Sequence, residues 1–167
     1  MVKDKELEIE LRFPVNTFNE IRKRLIEIGA SFIEKREDHD IYLRHILDKD
    51  KRWILRIRNW SILTVKTGEE GKWREEEIKI NIEKEKLLTF FEVLGFKKVL
   101  EIVKHRERWK FKEFEINLDD IKDLGKFVEI EGKSWEDIKK LAKNLGIKSK
   151  EIREGYVKLF ERRRSQN

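Results

Sequence analysis

The chain has 167 residues and no cysteine, and 44% of it is charged, with 40 Lys and Arg against 34 Asp and Glu for a net charge of +6. That length suits one domain with a sizeable core, and the lack of Cys excludes disulfides and thiolate metal sites. No apolar run is long enough to span a bilayer, and Met1-Val2-Lys3-Asp4-Lys5 lacks the apolar stretch of a secretory signal, so a soluble cytoplasmic protein without membrane partners is expected.

The first strand, near 5–13, puts Glu8, Glu10 and Arg12 on one face and Leu7, Ile9 and Leu11 on the other, because successive strand side chains alternate. Pro14, the only proline, marks its expected end. An amphipathic helix follows from about Thr17 to Ile28, with Phe18, Ile21, Leu25 and Ile28 as its stripe and Gly29 as its C-cap. Strand patterns recur near 31–36, 39–44, 53–59, 61–67 and 74–82. A second helix, about Glu83 to Leu94, turns Leu87, Phe90, Phe91 and Leu94 inward. Strands near 97–111, 113–119 and 126–131 precede a third helix that starts at the capping box Ser134-x-x-Asp137, buries Ile138, Leu141 and Leu145, and stops at Gly146. A last helical piece covers Glu154 to Arg163.

No Ser/Gly-rich linker divides the chain, so the expectation is one α+β domain over residues 1–167. A weak internal repeat supports duplication at half-domain scale. Glu8-x-Glu10, Glu75-x-Glu77 and Glu129-x-Glu131 each lead to a helix ending at Gly29, Gly95 or Gly146, and the first two glycines lie 66 residues apart.

Parity gives every strand a charged face. Arg56 and Arg58 alternate with Leu55 and Ile57, Thr64 and Lys66 with Leu63 and Val65, and Lys104, Arg106 and Arg108 with Val103 and Trp109. Glu115, Asn117 and Asp119 oppose Phe114, Ile116 and Leu118, and Glu129 and Glu131 oppose Val128 and Ile130. For any single strand a solvated sheet face explains this. For the set, the signs are segregated, and the opposite face is apolar enough to need helices over it. A sheet that curls to closure makes the charged face a lining. Like charges about 4 Å apart repel by about 4 kcal/mol at an effective dielectric of 20. Such a lining therefore calls for a polyanion beside the basic clusters and a hard cation, Mg²⁺ or Mn²⁺, beside Glu8, Glu10, Asp119 and Glu129.

Other chemistries fall away. His39, His45 and His105 lack metal-ligand spacing, and no Gly-rich phosphate loop is present. The five Trp read as packing residues and Arg162-Arg163-Arg164 as a helix C-terminal cation cluster. High Lys, Arg and Glu content with a single Gln resembles that of hyperthermophile proteins.

The ordered motifs resemble the CYTH domain, or triphosphate tunnel metalloenzyme, family. Its E-x-E-x-K opening is similar to Glu8-x-Glu10-x-Arg12, with Arg in place of Lys. Asp40-Ile41-Tyr42, Arg56-Ile57-Arg58, Thr64-Val65-Lys66, Lys104-His105-Arg106, Asp119, Glu129 and Tyr156-Val157-Lys158-Leu159 follow in the family's order. The resemblance implies an eight-stranded antiparallel closed β-barrel, a tunnel with helices outside, which binds a triphosphate with a divalent metal. Asp40 to Leu43 and the closing Tyr-x-x-Leu look most like the class IV adenylate cyclase branch, which implies conversion of ATP to 3′,5′-cyclic AMP and pyrophosphate. The expected metal ligands are Glu8, Glu10, Asp119 and Glu129. The expected substrate-binding residues are Arg12, Arg56, Arg58, Lys66, Lys104 and Arg106, with Arg12, Lys66 and Arg106 catalytic. The alternatives are a triphosphatase acting on inorganic, thiamine or nucleoside triphosphate and a non-catalytic binder of RNA or polyphosphate. A homodimer is compatible with all three.

Overall fold

Strand alternation governs the architecture. The computed structural model describes residues 7–49, 53–69 and 71–165. Its elements run β1 (Glu8–Val15), α1 (Asn19–Glu27), β2 (Ser31–His45), β3 (Trp53–Arg58), β4 (Ile62–Glu69), β5 (Lys72–Lys79), α2 (Lys84–Val93), β6 (Phe96–Phe111), β7 (Phe114–Ile121), β8 (Gly125–Gly132), α3 (Trp135–Asn144) and α4 (Tyr156–Arg164). The strands form a closed antiparallel ring in the order β1-β5-β4-β3-β2-β6-β7-β8. The expected α+β tunnel is therefore the fold.

The ring closes through two unequal seams. β1 pairs with β8 from Ile9↔Gly132 to Val15↔Lys126. Against β5 it pairs at Glu8↔Trp73 and Ile9↔Lys72, extended by a 2.9 Å hydrogen bond from the Glu10 N–H to the Gly71 carbonyl. Gly71 has φ +85°, and a Cβ there would stand 2.7 Å from the Glu10 carbonyl oxygen, so a side chain at this position would force the seam open.

The outer face carries two cores. Leu11, Ile116, Val128 and Ile130 of the strands pack under Ile21 and Leu25 of α1 and Ile138 and Leu141 of α3. Ile41, Leu43, Leu55 and Ile57 pack under Leu87 and Phe91 of α2. Fully burying a side chain of this size stabilises by about 1.5–3 kcal/mol. Ser134 caps α3 as expected, its Oγ accepting from the Asp137 N–H at 3.2 Å.

Four details differ from the sequence expectation. The segments near 31–36 and 39–44 are one strand, because Glu37 and Asp38 are not a turn but pair with His105 and Lys104 of β6. Pro14 lies inside β1. The Arg12 N–H points away from β8 to the Ile152 carbonyl, so the missing N–H two residues on costs no bond to β8. Phe90 of α2 and Leu94 just after it are exposed rather than inward, and the helix packs on the sheet through Leu87 and Phe91, the latter edge-on to Phe96 of β6. Finally, α4 does not pack outside. Tyr156, Val157, Leu159 and Phe160 form a third core with Tyr42, Leu100, Ile102, Ile121 and Phe127, which share the parity of the charged lining. The fourth helix thus plugs one end of the tunnel. The predicted first strand's start, at residues 5 and 6, lies outside the described residues.

Candidate active site: a charged tunnel plugged by Tyr156

The tunnel holds a cavity of about 280 Å³. Most of its lining is ionic: Glu10, Glu129, Glu131, Glu115, Glu75 and Glu77 among the acids, and Arg12, Arg36, Arg56, Arg58, Lys66, Lys104, Arg106 and Arg108 among the bases. Every sequence-predicted substrate-binding residue lines this one space.

The acidic corner lies on the β1–β8 seam, where Glu10 faces Glu131 and Arg12 faces Glu129. Among the described residues, Glu10, Glu129 and Glu131 bring carboxylate oxygens within 4.8 Å of one another. Glu131 titrates at about 8, raised by burial and by the charges of Glu129, Glu10 and Glu115. Glu129 goes the other way. Burial works against its charge, but Arg12 and then Arg106, with help from Lys104 and Lys66, hold it well below the usual carboxylate range. Three clustered oxygen donors, one of which, Glu131, holds its proton up to about pH 8 in the absence of a cation, fit a hard divalent cation such as Mg²⁺ or Mn²⁺ that would take the proton's place.

Two expected metal ligands stand differently. Both Asp119 oxygens are occupied: Arg106 Nε and Nη2 each donate at 2.6 Å, and the Tyr156 hydroxyl donates at 2.7 Å. Glu8 begins β1 at the seam, but its side chain lies outside the described residues.

The basic wall is held in place by buried carboxylates. Arg12 Nη2 reaches Glu10 at 2.6 Å and Glu129 at 2.7 Å, and Nη1 donates to the Glu154 carbonyl at 3.1 Å. Its guanidinium also lies 4.7 Å over the Tyr156 ring. Burial opposes its charge, yet Glu10 and Glu129 raise its pKa further. Arg56 donates to Thr64 and Glu75, Arg58 binds Asp40 through two bonds of 2.7 and 3.1 Å, and Lys66 pairs with Glu75. The Nε–H groups of Arg12 and Arg56 are buried and meet no acceptor among the described residues. These are donors that an anionic oxygen would satisfy.

Lys104 is the exception among the cations. It is buried, with Nζ 3.4 Å from Asp40 and 3.8 Å from Asp38. Burial, and then the charge of Arg106, pull its pKa down to about 8 despite Asp40 and Asp119. It is the lining cation most easily freed of its proton near neutral pH.

The residues missed as site residues had partial signals. Glu131 shares the parity of Glu129 and completes the corner. Asp40 and Tyr42 stand in the Asp40-Ile41-Tyr42 motif, and Asp40 orients Arg58. Tyr156 opens the closing Tyr-x-x-Leu motif, but nothing local shows that its hydroxyl reaches Asp119. Trp73, read as packing, instead lines the cavity.

A closed antiparallel tunnel of this kind, with a carboxylate corner and a ring of cations, defines a class of metal-dependent enzymes. The chain belongs to the CYTH domain family, whose model matches residues 6–156. Tunnel enzymes of this family are divalent-metal dependent and act as adenylate cyclases or triphosphatases. The chain is 34% identical to a Methanocaldococcus jannaschii protein named "Putative adenylate cyclase MJ0240", over 92% of this chain and 98% of that one. It superposes on the PH1819 protein of Pyrococcus horikoshii with a TM-score of 0.78 at 32% identity, covering 93% of this chain and 99% of that one. It shares the fold of a Hippeastrum protein, named "Putative adenylyl cyclase HpAC1" and described as having a dominant triphosphatase activity, at TM-score 0.62 and 20% identity over 98% and 97% of the two chains. Among the described residues no helix is long and apolar enough to cross a membrane.

Proposed function

We propose that this protein cyclises ATP to 3′,5′-cyclic AMP with release of pyrophosphate, using Mg²⁺ or Mn²⁺. The observation that carries the reading is the meeting, in one cavity, of the Glu10, Glu129 and Glu131 corner with Arg12, Arg56, Arg58, Lys66, Lys104 and Arg106. The cyclase name of the Methanocaldococcus relative supports the choice of reaction.

Glu10, Glu129 and Glu131 hold the metal, with Glu8 as a further ligand. When bound, the ion supplies Lewis-acid stabilisation of phosphate charge. Asp119 serves instead to orient Arg106, because both its oxygens accept from Arg106 and one also accepts from Tyr156. Arg56 and Arg58 grip phosphate oxygens, and Arg12, Lys66 and Arg106 neutralise charge that builds on the departing pyrophosphate. Lys104, as the neutral amine, takes the proton of the ribose 3′-hydroxyl. The 3′-oxygen bonds to the α-phosphorus, the bond from that phosphorus to the bridging oxygen breaks, and pyrophosphate leaves with the electron pair.

A second reading is hydrolysis of a triphosphate by water, favoured by the triphosphatase activity described for the Hippeastrum protein. It uses the same ionic lining. Binding of a long polynucleotide is disfavoured, because Tyr156, Val157 and Phe160 fill one end of the tunnel. The test is incubation with ATP and, separately, inorganic triphosphate, each with Mg²⁺ or Mn²⁺, followed by product analysis. Cyclic AMP and pyrophosphate are expected. Orthophosphate alone selects the hydrolytic reading, and no turnover of either compound overturns both.

A further inference from the structure

One tryptophan does not behave as a core residue. Trp53 and Trp60 pack against the cluster under α2, and Trp109 and Trp135 belong to the cluster under α1 and α3. Trp73 is 7% exposed yet belongs to none of the three cores, and it lines the cavity. Its indole N–H is buried and meets no acceptor among the described residues. Trp109 and Trp135 share that lack, but neither lines the cavity, and Trp135 is covered by Arg153 at 3.7 Å. Buried donors without acceptors are uncommon in native proteins, and one beside a cavity points to an acceptor brought by a ligand.

The surroundings of Trp73 are also unlike the rest of the tunnel. Ile54 pairs with Lys66, Lys66 with Glu75, and Trp73 stands two residues before Glu75 on the same face. Its partner across the ladder is Gly68, at φ +134°, where a Cβ would meet the Lys72 carbonyl oxygen at 2.2 Å. No side chain can stand there beside the indole. The next turn residue, Gly71, abuts Arg153, from which the chain runs to Gly155 and Val157 on the cavity wall. Ile54 and Trp73, on either side of Lys66, thus give an ionic cavity an apolar flank, and Val157 lines the same cavity.

We propose that this flank is a subsite for the planar heteroaromatic group of a nucleoside triphosphate. The base packs on the face of Trp73, and a ribose hydroxyl oxygen beyond the ring edge accepts the in-plane indole N–H. The proposal rests on the triphosphate reading above and deepens it. The ionic lining accepts any triphosphate, and Trp73 makes nucleoside triphosphates the preferred class. Stacking on an indole tolerates every base, since each has a π-face, so the subsite favours the class over a single base.

The test is calorimetric titration of the full chain, with Mg²⁺ present, by ATP and by inorganic triphosphate. Trp73→Ala should raise the ratio of the ATP dissociation constant to that of triphosphate by about tenfold or more, the usual loss of one base–aromatic stack. Trp73→Phe keeps a ring but not the N–H, and should raise the ratio several-fold. Equal weakening of both ligands would place Trp73 in phosphate binding or in the fold and overturn the subsite. Wild-type protein that binds triphosphate at least as tightly as ATP overturns the subsite and leaves the triphosphate reading standing. Wild-type protein that binds neither overturns both. Should the variants fail to fold, irradiation of wild-type protein with 8-azido-ATP decides. Label on the peptide carrying Trp73 or on residues 155–157 supports the subsite, and label confined elsewhere overturns it.

Discussion

The Tyr156 hydroxyl donates a 2.7 Å hydrogen bond to Asp119 inside the tunnel and so ties the first residue of α4 to the carboxylate that holds Arg106. Burial, and then the charges of Asp119 and Glu129, raise the phenol's pKa well above its ordinary value, which keeps it a donor. Tyr156→Phe removes this bond alone, keeping the ring that Arg12 and Lys104 face. A hydrogen bond to a charged group contributes about 1.5–3 kcal/mol. Guanidinium unfolding of the variant should show a loss in that range with α4 still formed, and a loss below about 0.5 kcal/mol would show that the bond does not hold the plug.

Glu131 gives the metal-free protein an unusual pH dependence. Its folded pKa, about 8, lies above the ordinary carboxylate value, so its contribution is complete below the unfolded pKa and is lost as pH rises through the folded one. Between about pH 4.5 and 8 the native state binds more protons than the unfolded chain, and stability falls by up to about 1.4 kcal/mol per pH unit. Asp40 and Glu129, whose pKa values are lowered, act below that window. With a chelator present, denaturant midpoints should therefore decline from pH 5 to pH 8. Glu131→Gln should flatten the decline, and Mn²⁺ should reverse it in the wild type but far less in the variant. A flat profile for the chelated wild type would show that Glu131 is ionised without cost.

The legible part of this molecule is the part that obeys period two. In a closed ring, one face of every strand is inside, so Glu10, Arg12, Arg56, Lys66, Arg106 and Glu129 could be gathered from parity alone. What escaped depends on packing across the ring. The four buried residues of α4 share one face of the helix, just as those of an outer helix would, so nothing local distinguishes a plug from an outer helix. Asp119 has the right chemistry for a metal and the right parity. Its cross-strand partner, however, is Arg106, and that register places it against a guanidinium. Trp73 has the same parity as Glu75 and Glu77, which already placed it inside, yet aromatic character argued for a core.

The same register makes Arg106 an expensive residue to remove. It donates two bonds to Asp119 and one of 2.8 Å to Glu129, and all three side chains are buried. Arg106→Met keeps most of the apolar stem and leaves two carboxylates without their shared cation. Breaking a buried pair in this way costs about 3–5 kcal/mol. The expected outcome is a lower denaturant midpoint at pH 7 that recovers partly toward pH 5, as the orphaned carboxylates take protons. A midpoint equal to wild type would mean that Tyr156 and Lys104 already satisfy them.

The metal corner is tested at Glu10. Its carboxylate lies in the group with Glu129 and Glu131 and also accepts from Arg12, so Glu10→Gln removes a charged ligand while keeping an oxygen acceptor of similar shape. Divalent-ion affinity, followed by Mn²⁺ titration without substrate, should weaken at least tenfold, the lower end for loss of a metal-site group. Turnover of ATP at fixed metal should drop with it and recover in part at higher Mn²⁺, since the ligand set is weakened rather than abolished. Unchanged Mn²⁺ binding would remove Glu10 from the ligand set and leave the corner to Glu129 and Glu131.

Lys104 should set the pH dependence of the reaction. Its pKa is drawn down to about 8 by burial and then by Arg106, so a minority of molecules carry the neutral amine at pH 7 and most do at pH 9. If that amine takes the proton of the attacking hydroxyl, kcat should climb with pH and level off above about 8. Lys104→Arg preserves the positive charge next to Asp40 and Asp38 but cannot lose a proton in this range. The variant should bind ATP with little change and lose about a hundredfold or more in kcat, the usual size of a general-base contribution, and the rise toward pH 8 should vanish with it. A variant that keeps the wild-type pH limb would assign the limb to another group, and Lys104 would then be a phosphate ligand only. The depressed pKa follows from burial and then from the charge of Arg106, so Arg106→Met should also move the limb to higher pH in any fraction that remains folded.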